Sequence, residues 1–129
     1  MPALERMMAT RVVTTPTALE ATVWPADMLV LHVAPDELLV VGNFRADLIL
    51  SHDPHAIVVA ETGFASVWLT AAEALDFLER ACEWELPRQR PAFAQGAVAG
   101  LPLKLYLEAD RVLFIVPAPF MADLQERLA

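Results

Sequence analysis

The chain has 129 residues, 57% of them apolar, and carries a formal net charge of -8. That length suits one domain with a proper core, and the acidic balance, with only nine scattered basic residues, excludes a nucleic-acid backbone or an anionic membrane as partner. A single cysteine excludes an intrachain disulfide framework and any multi-cysteine zinc site.

Residues 1–25 show no sustained period; Thr14, Thr15 and Thr17 around Pro16 interrupt them, so an N-terminal arm is expected, with a short helical turn around Leu19. Residues 1–13 hold no apolar stretch behind a basic start, so no secretory signal is expected. The apolar run at 28–34 is broken by His32 and far too short to span a bilayer, which makes a soluble cytoplasmic chain the expectation. Residues 26–129 read as a single domain. Within it, 28–34 and 38–42 are two short apolar runs around Pro35-Asp36-Glu37, the pattern of a hairpin. Residues 43–56 are ambiguous: 46–50 fit a helical turn or a strand fragment, and 51–55 have loop composition.

From residue 57 the expected order is a strand at 57–60, a turn at Glu61-Thr62-Gly63, a strand at 64–69 and a helix. Thr70 and Glu73 form a capping box at the start of that helix, each side chain bonding the other's backbone N–H. Beyond it Glu73, Asp76, Glu79, Arg80 and Glu83 fall on one arc, and Ala71, Ala74, Leu75, Leu78, Ala81 and Cys82 on the opposite one. Phe77 and Trp84, one heptad apart, sit at the edge of the apolar arc. A loop with Pro87, Pro91 and Gly96 follows. Residues 103–108 alternate strictly, with Leu103, Leu105 and Leu107 on one face and Lys104, Tyr106 and Glu108 on the other. Ala109-Asp110 turns the chain into a more buried strand at 111–116, ended by Pro117. A closing helix repeats Phe120, Leu124 and Leu128 every four residues, with Pro119 in its first turn. The expected fold class is α+β: a β-β-α-β-β-α core after a short hairpin, its largely antiparallel sheet carrying helices on one face.

Chemistry-bearing clusters are few. His52-Asp53-Pro54-His55 collects potential metal ligands, but H-x-x-H in a proline-containing loop lacks the spacing that puts both rings on one helix face, so a polar loop is favoured. His32 is expected on the more polar side of its strand. Cys82 reads as a small buried hydrophobe, and neither serine, Ser51 or Ser66, sits in a nucleophile elbow. No catalytic, cofactor-binding or metal-ligating residue is therefore assigned. Phe64 and Trp68 share one face of a strand with Ser66. Together with Phe77 and Trp84 they form the candidate interface residues, a group equally suited to an internal core.

Segment by segment, residues 28–129 resemble the gamma subunit of heterotetrameric sarcosine oxidases, related in fold to the folate-binding domain of the glycine-cleavage T-protein. The resemblance is carried by VAPDELLVVG, by VVAETGFASVWLTAAEALDFLERACEWELP, and by PAFAQGAVAGLPLKLYLEADRVLFIVPAPFMADLQERL. The region before Ile57 is shorter than in that family, and no residue matches the T-protein's acidic folate-site pair. What the resemblance implies is an accessory chain without cofactors of its own, whose partners are flavin-bearing oxidase subunits. In such oxidases flavins, NAD, zinc and folate are held by other chains. Two other expectations stand beside it: a free-standing binder of a folate-like or one-carbon ligand, and a module that self-associates through its apolar excess.

Overall fold

The computed structural model describes residues 2–42 and 44–129. Met1 and Asn43, the first residues of the expected arm and of the ambiguous stretch, lie outside them. The chain folds as two compact units, one of Met8–Thr62 and one of residues 2–7 together with Gly63–Ala129. Its architecture is α+β, with antiparallel pairing in every strand pair whose register is defined.

In the smaller unit the strand order is β2-β3-β1-β4, built from β1 (Glu5–Val13), β2 (Leu29–Ala34), β3 (Glu37–Val41) and the first half of β4 (Ile57–Thr70). The hairpin β2–β3 turns at Pro35-Asp36 as expected, with an irregularity between His32 and Ala34 that leaves Val33 out of register. Helix α1 (Pro16–Ala21) begins at Thr15, whose Oγ1 accepts from the Ala18 N–H at 3.2 Å, with Pro16 in the first turn. Helix α2 (Asp47–Leu50) settles the ambiguity at 46–50 in favour of a helical turn. The two helices place Ala18, Leu19 and Ile49 against Val12, Leu38 and Val40, with Trp24 and Phe44 packed at the margin.

The N-terminal segment is thus more ordered than its sequence suggests, because β1 and α1 occupy most of 5–21. Burial along β1 explains the difference. Met7 and Ala9 are buried on one side of the strand, and Val12 on the other. The change of side erases the two-residue period that would have marked a strand.

In the larger unit the order is β4-β7-β6-β5, from β5 (Ala92–Val98), β6 (Leu101–Leu107) and β7 (Arg111–Pro117) beside the second half of β4. Helix α3 (Ala71–Ala81) follows β4 with no loop, because Thr70 ends the strand and caps the helix. The capping box is formed: the Glu73 N–H donates to Thr70 Oγ1 and the Thr70 N–H to Glu73 Oε1, each at 3.2 Å. A 3-10 turn (Ala118–Phe120) leads into α4 (Met121–Leu128). Both helices cover the same face. Ala74, Phe77, Leu78, Leu124 and Leu128 share one core with Ala65, Val67 and Leu69 of β4, the four leucines of β6, and Phe114 of β7. From the N-terminus, Leu4 joins that core and its N–H donates to Gln125 Oε1 at 2.7 Å.

Several expectations change here. β4 is one strand of 14 residues, so Glu61-Thr62-Gly63 is no turn despite its composition. The proline-bounded loop contains β5, in register with β6 from Ala92↔Leu107 to Val98↔Leu101. The unit therefore runs β-α-β-β-β-α. The β5–β6 connection is a two-residue turn with positive φ at Ala99 (52°) and Gly100 (77°), the pattern a tight hairpin requires. Helix α3 stops at Ala81, since Cys82 is already extended. Its buried stripe is Ala74, Phe77 and Leu78, while Leu75 is 39% exposed. Phe120 is likewise exposed, while Leu124 and Leu128 of the closing helix are buried in the core and half-buried Met121 packs against it.

Candidate functional site

Strand parity divides β4 cleanly within the larger unit. Ala65, Val67 and Leu69 enter the helix-covered core, and Phe64, Ser66 and Trp68 stay half-buried on the opposite face. Register then decides which groups join them. Trp68 pairs with Leu113, and Thr70 with Arg111, so Arg111 lies diagonal to the indole. Its guanidinium carbon sits 3.8 Å from the Trp68 ring centroid, and its Nε donates to Glu108 Oε1 at 2.9 Å. A stacked, ion-paired arginine of this kind contributes about 0.5–1 kcal/mol through the ring at an exposed site. From β6, Lys104 reaches across β7 and places its ammonium 5.5 Å from the Phe64 ring centroid. The same ammonium donates to Gln95 Oε1 at 3.2 Å, its cross-strand neighbour on β5.

Around this second pair the strand ends form a groove of about 560 Å³. Phe64, Leu101, Pro102 and Pro117 supply apolar wall, and Gln95 and Lys104 the polar side chains. A smaller hollow of about 270 Å³ lies by Arg90, Tyr106, Glu108 and Asp110. Arg90 there is tied to its own loop, donating to the carbonyls of Pro87 and Gln89 at 2.7 and 2.9 Å.

The four aromatic residues singled out by the sequence separate into three places. Phe64 and Trp68 share a face, each beneath a cation. Phe77 is 5% exposed and packs its ring 5.9 Å from that of Phe114, inside the core. Trp84 lies beyond the end of α3, flat against Gly96 of β5, with Nε1 donating to the Ala97 carbonyl at 2.8 Å. A side chain at residue 96 would meet the indole at 3.0 Å, so the glycine makes room for it. Lys104 and Gln95 were not candidates in the sequence. The alternation of β6 places Lys104 opposite the core leucines, but the Phe64 ring comes from a strand forty residues earlier.

The remaining polar groups serve local structure. Asp53 accepts from the Thr14 hydroxyl and from the His55 N–H, so the carboxylate of the His-Asp-Pro-His segment shapes its own turn. Those bonds, the Thr14 hydroxyl first, hold the Asp53 carboxyl below its ordinary range. Glu73 is lowered likewise, chiefly by the Thr70 hydroxyl. Asp47 is lowered by its bond from Arg45. His32, His52 and His55 are exposed. Among the described residues no group of three or more His, Cys, Asp or Glu is placed to hold a metal ion. Cys82, half-buried, donates its thiol hydrogen to the Trp84 carbonyl at 3.3 Å. Among the same residues, no helix is long and apolar enough to cross a membrane.

No protein-family model matches this sequence, and no curated protein matches it. In structure the chain is similar to a chain of the heterotetrameric sarcosine oxidase from Corynebacterium sp. U-96, solved in complex with pyrrole 2-carboxylate. The TM-score is 0.73 at 16% identity, and the match covers 97% of this chain and 80% of that one. The two chains share a fold across almost the whole length described above.

Proposed function

We propose that this chain is an accessory subunit of a sarcosine-oxidase-type complex, which oxidises N-methylated amino acids. The observation that carries the reading is the fold match over 97% of the chain to one component of a heterotetramer. Coverage of 80% of the other chain makes the two components comparable in length, so the likeness is to one small chain working among several. In this reading flavins and catalysis belong to partner chains, and this chain contributes contact surface. Ile57 and Val59, which project from the same side of β4 and are about half exposed, suit that role, as does the half-buried Phe64–Trp68 face. Phe77, which is spent on the core, does not.

The test is purification from the native host under mild conditions through a tag on this chain. A flavin-bearing chain should co-elute in fixed ratio, and the preparation should form hydrogen peroxide from sarcosine. Recovery of the tagged chain as a colourless, well-behaved monomer would remove the proposal.

A further inference from the structure

We propose that Trp84 guards the outer edge of β5, and that this edge, once uncovered, pairs with the same edge of a second copy of the chain. β5 ends the strand order and is bonded on one side only, to β6. The two-residue turn fixes which groups face outward. Val98 and Leu101 close the hairpin, so Ala92, Ala94, Gly96 and Val98 bond β6, while the N–H and carbonyl of Phe93 and of Ala97 point away from it. Pro102 stands opposite Ala97 and has no N–H to offer, which agrees with that parity. Trp84 Nε1 donates to the Ala97 carbonyl at 2.8 Å, an ordinary ladder length, so the indole holds the acceptor that a further strand would use. The Ala97 N–H and both backbone groups of Phe93 have no other hydrogen-bond partner among the described residues.

The geometry points to a second copy as the occupant. AFAQGAV carries no charge and no proline, two of the devices that usually keep an edge from pairing. Two such edges set antiparallel about a two-fold axis place Phe93 of each chain opposite Ala97 of the other. Each N–H of these residues then meets a carbonyl, in the alternation of an antiparallel ladder. Half of the acceptors in that pairing are the Ala97 carbonyls, which the indoles already occupy. Gly96 gives the indole its room, and the Cys82 thiol bond to the Trp84 carbonyl ties down the segment that carries it. The guard does not depend on the accessory-subunit reading.

Pro91 and the turn bound the usable edge, so the pairing is short and the dimer weak. The experiment is sedimentation of the full chain over a rising concentration series, with amide hydrogen exchange read by NMR. Trp84→Ala should self-associate about tenfold more tightly than the wild type, the worth of the freed carbonyls. Exchange at Phe93 and Ala97 should slow as its concentration rises. Adding Ala97→Pro removes an outward N–H without touching the β5–β6 ladder and should return association to the wild-type level. Trp84→Leu keeps an apolar body against the core and carries the same expectation if Trp84→Ala unfolds. Association no tighter than wild type, association that survives Ala97→Pro, or protection gained elsewhere would overturn the proposal. Unfolding of both Trp84 variants would make the indole a core residue and overturn it as well.

Discussion

Gly96→Ala should destabilise the protein, although alanine is ordinarily the better strand residue. The new methyl would sit 3.0 Å from Trp84 Cε2 and 3.1 Å from Cζ2 and Nε1. Carbon atoms prefer separations of about 3.5–4.0 Å, so the indole must retreat by roughly half an ångström. It cannot do so freely, because Nε1 is bonded at 2.8 Å to the carbonyl of the next residue on the same strand. Overpacking costs about 1–3 kcal/mol and a weakened hydrogen bond about 1, against a gain of about 0.4–1 from the stiffer unfolded chain. The net loss is about 2 kcal/mol. The decisive measurement is a double-mutant cycle with Trp84→Ala, followed by urea denaturation and far-ultraviolet circular dichroism. With the indole gone the methyl loses its three nearest contacts, so Gly96→Ala should then stabilise by about 0.5 kcal/mol, giving a coupling of about 2–3 kcal/mol. If the methyl costs as much without Trp84 as with it, the packing account of this glycine is wrong.

Phe77→Ala should cost about 3–5 kcal/mol in the same assay and Leu75→Ala less than about 0.5, because only the first is buried in the core. Thr70→Ala removes the hydroxyl half of the capping box, leaving the backbone N–H of residue 70 to Glu73, and should cost about 1 kcal/mol at neutral pH. Glu73 is held below its ordinary value of 4.5, so its contribution is complete above that value and is lost as pH falls through the lower folded one. Stability of the wild type should therefore decline in that acid window more steeply than that of Thr70→Ala. Thr14→Val removes the hydroxyl that does most to lower Asp53, and carboxyl-carbon NMR should show that group titrating closer to 3.8. An unchanged titration would mean that the His55 N–H alone sets it.

Features confined to a few neighbouring residues were legible before folding. The capping box needs only Thr70 and Glu73, the β2–β3 turn only its Pro-Asp pair, and the face of β6 only its own alternation. What escaped depends on partners distant in sequence. β5 is AFAQGAV, too poor in large apolar residues to announce a strand, and its glycine is explained by Trp84 from outside the strand. Glu61-Thr62-Gly63 has turn composition and becomes strand within β4. The expected stripe of α3 includes Leu75 and leaves Phe77 at its edge, whereas Phe77 is buried in the core with its ring beside Phe114 of β7. For the site, strand parity puts Phe64 and Trp68 together. It cannot bring Lys104 and Arg111 over them, since that follows from the register of β7 against both its neighbours.

The end of α3 also supplies a clock. The chain has one thiol, and Cys82 engages the Trp84 carbonyl just where the helix gives way to extended chain. That sulfur is half-buried and engaged, so a bulky disulfide reagent should react with it faster when the segment after Ala81 lifts and the bond to the Trp84 carbonyl breaks. The rate of thiol labelling therefore reports how often this one stretch opens, on a scale separable from global unfolding and without any engineered probe.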